Sequence, residues 1–154
     1  MAGTFPFSAL PRRMDRLGGK TIRKGVSKLV QEVAQGIGNT LVDATPVDTG
    51  LARSNWRATL SGPASGTIPA YSPGNALGLG EGANASAAKG QQNSVIKRFD
   101  IKKHSNIFIT NNIPYIGLLE AGSSGQAPGG MVKLALQTGR AILEANAGRV
   151  LENR

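Results

Sequence analysis

The stretch LGGKTIRKGVSKLVQEVAQGIGNTLVDA, Leu17 to Ala44, decides the fold. Its apolar residues Ile22, Val26, Leu29, Val30, Val33, Ile37 and Leu41 recur at spacings of three and four, which collects them on one stripe of an α-helix. Lys20, Lys24 and Lys28 fall on the opposite side in one i, i+4 row, with Gln31 and Gln35 beside them and Arg13 too if the helix reaches back that far. One face is expected to pack, the other to meet water or an acidic partner. If every residue is helical, the rod is about 42 Å long at about 1.5 Å per residue. Gly36 and Gly38 weaken its second half. Thr45-Pro46 ends it, because the residue before proline is pushed out of the α region and proline has no amide hydrogen.

Beyond the proline, Asp48 or Thr49 is placed to cap a short turn, Gly50 to Ser54. A strand from Asn55 to Leu60 follows, with Trp56, Ala58 and Leu60 alternating with Arg57 and Thr59 and Trp56 facing inward. From Gly62 to Gly90 the chain has 29 residues, of which 7 are Gly, 7 Ala, 3 Ser and 3 Pro. So little bulky apolar surface does not offset ordering entropy, and the segment is expected to be a long flexible insertion. Ala85 to Phe99 has some helical character, opposed by Gly90 and the polar run Gln91-Gln92-Asn93. Ile107, Phe108 and Ile109 mark a second strand, ended by Asn111-Asn112. After Pro114, a short helix from Tyr115 to Ala121 would bury Ile116, Leu119 or both and stop at Gly122. Ser123 to Gly130 is a glycine-rich connection. Met131 to Leu151 then forms a second amphipathic helix with Val132, Leu136, Leu143, Ala147 and Val150 on its stripe.

The expected fold is α+β: a small antiparallel sheet packed by a long N-terminal and a C-terminal helix, with the Gly/Ala-rich insertion at 62–90. Residues 17–151 make one domain, preceded by a flexible basic arm, 1–16, and followed by a short tail, 152–154.

Composition narrows the chemistry. The 154 residues include no Cys and one His, which removes disulfides, thiolate sites and cysteine nucleophiles and leaves no ligand cluster of the kind zinc needs. No cofactor is expected. The first 19 residues break every apolar run with Pro6, Pro11 and basic residues, which fits neither a signal peptide nor a membrane span, so no membrane partner and a soluble intracellular origin are expected. His104 lacks a nucleophile motif nearby and reads as a solvated surface residue. The nine acids are scattered, with no spacing that pairs two of them. Asp48 reads as a cap and Glu120 as the partner of a neighbouring Arg. Gly125 to Gly130 leads into a helix but lacks the Lys-Ser/Thr end of a phosphate loop, so it reads as a tight approach to the body. No catalytic apparatus emerges.

Net charge is +9. Seven of the 18 basic residues lie between Arg12 and Lys28, including Arg12, Arg13, Arg16 and the lysine row, and four more lie between Lys97 and Lys103, including Lys102 and Lys103. Such clusters raise the expectation of contact with nucleic acid or an acidic protein. With no helix-turn-helix, zinc finger or aromatic RNA-binding strand, any DNA contact would be independent of sequence.

Two stretches carry a resemblance. Thr45-Pro46-Val47-Asp48-Thr49-Gly50-Leu51-Ala52-Arg53-Ser54-Asn55-Trp56 resembles a segment of the tail completion proteins of long-tailed bacteriophages, also called minor tail protein Z-like or type one neck proteins. Ile107 to Tyr115, containing Asn111, Asn112 and Pro114, followed by Leu119-Glu120-Ala121-Gly122 and Gln126-Ala127-Pro128-Gly129-Gly130-Met131-Val132, resembles that family's second signature. The two together span residues 43–60 and 105–140 and, with the long first helix in its expected place, about half of the chain. Where the family often carries an aromatic, a Trp and a Lys, this chain has Ala121, Ser123 and Gly125.

The resemblance implies a virion structural protein of the phage neck, assembled in the host cytoplasm, that completes the head-proximal end of the tail and makes it competent to join the head. It implies no enzyme activity, and a homo-oligomeric ring around the DNA channel, with six copies from the six-fold symmetry of tails and twelve as the alternative. Its neighbours would be other neck and tail proteins: a tail terminator, a head completion or stopper protein, and the tail tube. Lys20, Lys24 and Lys28 would face the packaged DNA or an acidic ring. The competing reading is a sequence-independent nucleic-acid-binding protein that uses its basic arm and first helix. A hydrolase acting on nucleic acid or cell wall is disfavoured by the missing acid/base set.

Overall fold

A computed structural model describes residues 19–72 and 81–152. The elements are α1 (Gly19–Ala44), α2 (Leu51–Ser54), β1 (Arg57–Thr59), α3 (Glu81–Ile96), β2 (Phe108–Thr110), α4 (Ile116–Glu120) and α5 (Val132–Glu152). The fold is α+β, with β1 and β2 forming a two-stranded antiparallel sheet in which Ala58 faces Ile109. The arm, 1–16, lies outside the described residues, as do 73–80 of the insertion and the last two residues of the tail.

α1 is the axis of the molecule. It ends at Ala44, ahead of Pro46, as the sequence implies. Its end is closed by side chains: Thr45 Oγ1 donates to Leu41 O at 2.5 Å, and Arg53 Nη2 donates to Thr45 O at 3.0 Å. The helix is packed on more than the expected stripe, since Ser27, Ala34 and Val42 are also buried. The cause is that α5 lies along one side of it and α3 along another.

The α1–α5 pair is antiparallel: Gly36 faces Ile142, and Gly25 faces Val150. The approach is close enough to select for missing side chains. A Cβ on Gly139 would lie 2.6 Å from Ile37 Cγ1, and one on Gly36 would lie 2.1 Å from Ile142 Cδ1. The expected stripe of α5 is therefore only partly right: Val132 packs on the core and Val150 meets Gly25, but the rest of it turns outward. Leu136 is 42% and Leu143 44% exposed, Ala147 is also exposed, and the inner face carries Ala135, Gly139 and Ile142. A seam this narrow admits small residues and turns the leucines outward.

The insertion also differs from expectation. It is helical from Glu81, and α3 runs unbroken through Gly90 and the Gln91-Gln92-Asn93 run to Ile96. Asn84, Ala88, Gln92 and Ile96 form an i, i+4 row with no exposed surface. The periodicity is helical, but half of the buried row is amide, so apolar patterning misses it. Two packed clusters result. One gathers Leu41, Val42, Trp56, Ile113 and Met131, the other Val30, Ala34, Ala58, Ile96 and Phe99.

Candidate functional site

The two signature stretches, distant in sequence, fold into one body at the C-terminal end of α1. Gln126 reaches across 79 residues to Val47, accepting its amide at 3.0 Å and donating to its carbonyl at 3.1 Å. Asn111 Nδ2 donates to Ala52 O at 2.8 Å, and Asn111 Oδ1 accepts the amide of Ile113 at 3.1 Å. Trp56, 2% exposed, donates its indole N–H to Thr45 Oγ1 at 2.7 Å. Because Thr45 also closes α1, one hydroxyl joins the helix end to the start of the sheet. Pro46, Ala127 and Met131 are buried around these bonds, and Leu51 packs beside them.

Three expectations are corrected. α2 begins at Gly50, which has φ 78° and no side-chain cap, so neither Asp48 nor Thr49 serves there; both are exposed. The left-handed backbone at Gly50 is one that side-chain-bearing residues rarely adopt, and the Asn84 amide fills the space a Cβ would need. Among the described residues, Glu120 pairs with no Arg. Its Oε2 accepts the amides of Met131 at 2.7 Å and Val132 at 2.9 Å, so the anion site at the start of α5 is filled by the protein's own carboxylate. Gly122 and Gly130, with φ 84° and 76°, shape the connection between Glu120 and α5. His104 is half-buried rather than solvated, and its Nδ1 accepts the Asp100 amide at 3.0 Å.

The sequence reading missed the residues that hold the connections down. Asn55 bonds both the N–H and the C=O of Ile68, each at 2.8 Å. Asn84 does the same for Ser72, both at 2.7 Å, and also accepts from Ser54 Oγ at 3.1 Å. Gln91 spans the N–H and C=O of Ala58 at 3.3 Å each, covering the edge of β1 that faces away from β2. With Gln126 on Val47, four side-chain amides imitate a strand neighbour, each satisfying one residue's donor and acceptor. Asn112 and Arg57 add bonds to the carbonyls of Ala64, Ser65 and Gly66. Residues 62–72 are tied to the body through these contacts. The signal in the sequence is the inward i, i+8 spacing of Asn84 and Gln92, two helical turns apart; Asn55 and Gln126 are marked only by the resemblance, which does not name their partners.

The outer surface of this end carries Asp48, Thr49, Pro114, Tyr115, Leu118 and Pro128. Partial burial, and after it the Asp48 carboxylate, push the Tyr115 phenol above its ordinary pKa. Next to it an open hollow is lined by Glu120, Val132, Lys133, Leu136, Gln137 and Arg140.

The basic candidates divide. Lys20, Lys24, Lys28, Lys102 and Lys103 are exposed, while Arg12, Arg13 and Arg16 lie outside the described residues. Gln31, expected among the solvated residues of the lysine row, instead donates to Lys97 O at 3.2 Å and Phe99 O at 2.8 Å.

Among the described residues no three His, Asp or Glu gather as a metal-binding group, and no helix is long and apolar enough to cross a membrane. The chain matches no protein-family model, no curated protein and no solved structure.

Proposed function

We propose that this chain is a structural protein of the bacteriophage neck, a ring subunit that completes the head-proximal end of the tail and lets it join the DNA-filled head. The observation that carries the reading is the interlocking of the two resembling stretches. Gln126 on Val47, Asn111 on Ala52 and Trp56 on Thr45 are contacts between or within those stretches. Their polar residues hold backbone in place, which is what a rigid assembly part requires of a signature. Glu120, an acid of the second stretch, is engaged by two helix amides. The leucines left outward on α4 and α5, Leu118, Leu134, Leu136 and Leu143, favour a subunit that buries further surface on assembly.

The test is genetic. Phage lacking this protein should accumulate filled heads and separate tails by electron microscopy, with joining restored by the wild-type chain. Intact, infectious particles formed without it would refute the assignment.

A further inference from the structure

Two basic segments 66 to 74 residues apart in sequence are welded into one face. Ser27 Oγ accepts the Ile101 amide at 3.1 Å, and Gln31 grips the carbonyls of Lys97 and Phe99. At 100° per residue, Gln31 and Ser27 lie on the same side of α1 as Lys20 and Lys24, with Lys28 at its margin. The turn 97–104 therefore sits on the lysine row itself, about one helical turn from Lys24, and Lys97, Arg98, Lys102 and Lys103 project from it exposed. Only Glu32 and Asp100 are acidic within 19–32 and 97–104. Among the described residues, the lysines of the row and the four cations of the turn pair with no carboxylate. The ion pairs Lys89–Asp43 and Arg140–Glu144 lie elsewhere.

Gathering like charges costs free energy, so a face fixed by specific bonds, one of them buried, whose row lysines and turn cations outnumber its two acids and, among the described residues, pair with neither, draws counter-charge from outside. The kind of counter-charge follows from what else the face offers. Its apolar residues, Phe99 and Ile101, are 2% and 4% exposed and turned inward, so there is no anchor for a protein partner, whose interface centres on buried apolar side chains. No aromatic ring is presented for stacking on unpaired bases. What remains is Lys and Arg alone, the chemistry of phosphate contacts.

We infer that this ridge binds the phosphate backbone of double-stranded DNA, without sequence preference. Anisotropy of a labelled random-sequence duplex, titrated with the full chain between about 50 and 200 mM salt, measures it. Lys24→Gln with Lys28→Gln, and separately Lys102→Gln with Lys103→Gln, should each lower the salt slope by about two and weaken binding, since each phosphate contact contributes about 0.9. Lys133→Gln with Arg140→Gln, in the first half of α5, should change neither slope nor binding beyond the small loss that any charge removal brings. Unchanged thermal melts verify folding, as all these side chains are exposed. Equal losses from the control pair would reduce the effect to net charge and overturn the proposal. So would full binding by both ridge variants with loss only on deleting residues 1–16, or stronger binding to polyglutamate than to DNA at equal charge, which would mark an acidic protein as the partner. Head–tail joining and DNA binding are separate readouts, so the ridge can fail while the neck assignment stands, and the reverse.

Discussion

The α1–α5 pair and the body built on residues 45–72 and 111–131 are held by different physics. In the helix pair, Gly36 and Gly139 remove side chains so that two backbones approach, and the contacts are dispersion and apolar burial. In the signature body, Asn55, Asn84, Gln91 and Gln126 each bond the N–H and C=O of one residue whose donor and acceptor face no neighbouring strand. The first arrangement is fixed by close packing, and the contacts at Gly36 and Gly139 include no directional bond across the seam. The second is directional, and a missing amide leaves buried polar groups unpaired. A part that must present fixed loops to neighbours gains more from the second.

The largest effect is expected where the two meet. Trp56→Ala removes the indole from the cluster of Leu41, Val42, Ile113 and Met131 and the bond to Thr45, and should cost about 3–5 kcal/mol in denaturant unfolding. A loss under about 1 kcal/mol would mean that the helix end and the sheet are not coupled through Thr45.

Next is Asn84→Leu, which strips partners from Ser72 N–H, Ser72 C=O and Ser54 Oγ and should cost toward the upper end of about 1–3 kcal/mol. The location distinguishes the two regions: hydrogen exchange should accelerate at Ser72 and leave the middle of α1 and α5 protected relative to global stability. Uniform acceleration would erase the distinction. Gly139→Val tests the other side. Its side chain meets Ile37 Cγ1 and Cδ1, so about 1–3 kcal/mol is expected, near the lower end because Val gains some helix propensity over Gly. Ile37→Ala in the same chain should recover at least about 0.5 kcal/mol of coupling, where additivity would place the strain elsewhere.

The same division governs how much could be read from the chain. α1 was legible because Ile22 to Leu41 repeat at helical spacing and Pro46 stops them. The two strands were located within two residues or so, since Trp56, Ala58 and Ile107 to Ile109 alternate or cluster between turn residues. α5 was found but rotated, because its pattern has two candidate faces and only the width of the seam selects Ala135, Gly139 and Ile142 over the leucines. α3 was read only as weakly helical because Asn84 and Gln92 face inward for hydrogen bonding, against the ordinary preference of polar residues for water. Glu120 and Gln126 stood out by resemblance, but their partners, two helix amides and Val47, are set by tertiary approach alone. The ridge shows the same limit: both basic clusters are visible in the sequence, and their meeting depends on Gln31 and Ser27.

The smallest effect probes the rim of the amide-held body without touching its interior. Tyr115 has a folded pKa above its ordinary value of 10.0, from partial burial first and Asp48 second. Its neutral form is thus favoured in the fold, a contribution fully present below the unfolded pKa and lost as pH rises through the folded one. In a Tyr71→Phe background Tyr115 is the one remaining tyrosine of two. Phenolate absorbance should titrate above 10.0 in that background. Asp48→Asn should move the midpoint down without returning it to 10.0, because burial, the larger cause, remains. Asp48 follows directly on Val47, which Gln126 holds, so Gln126→Ala should loosen its position and reduce the same shift in part. A midpoint indifferent to both substitutions would mean that the amide grip on Val47 does not fix the outer surface, and that the two signature stretches, though bonded inside, do not act as one body at the rim.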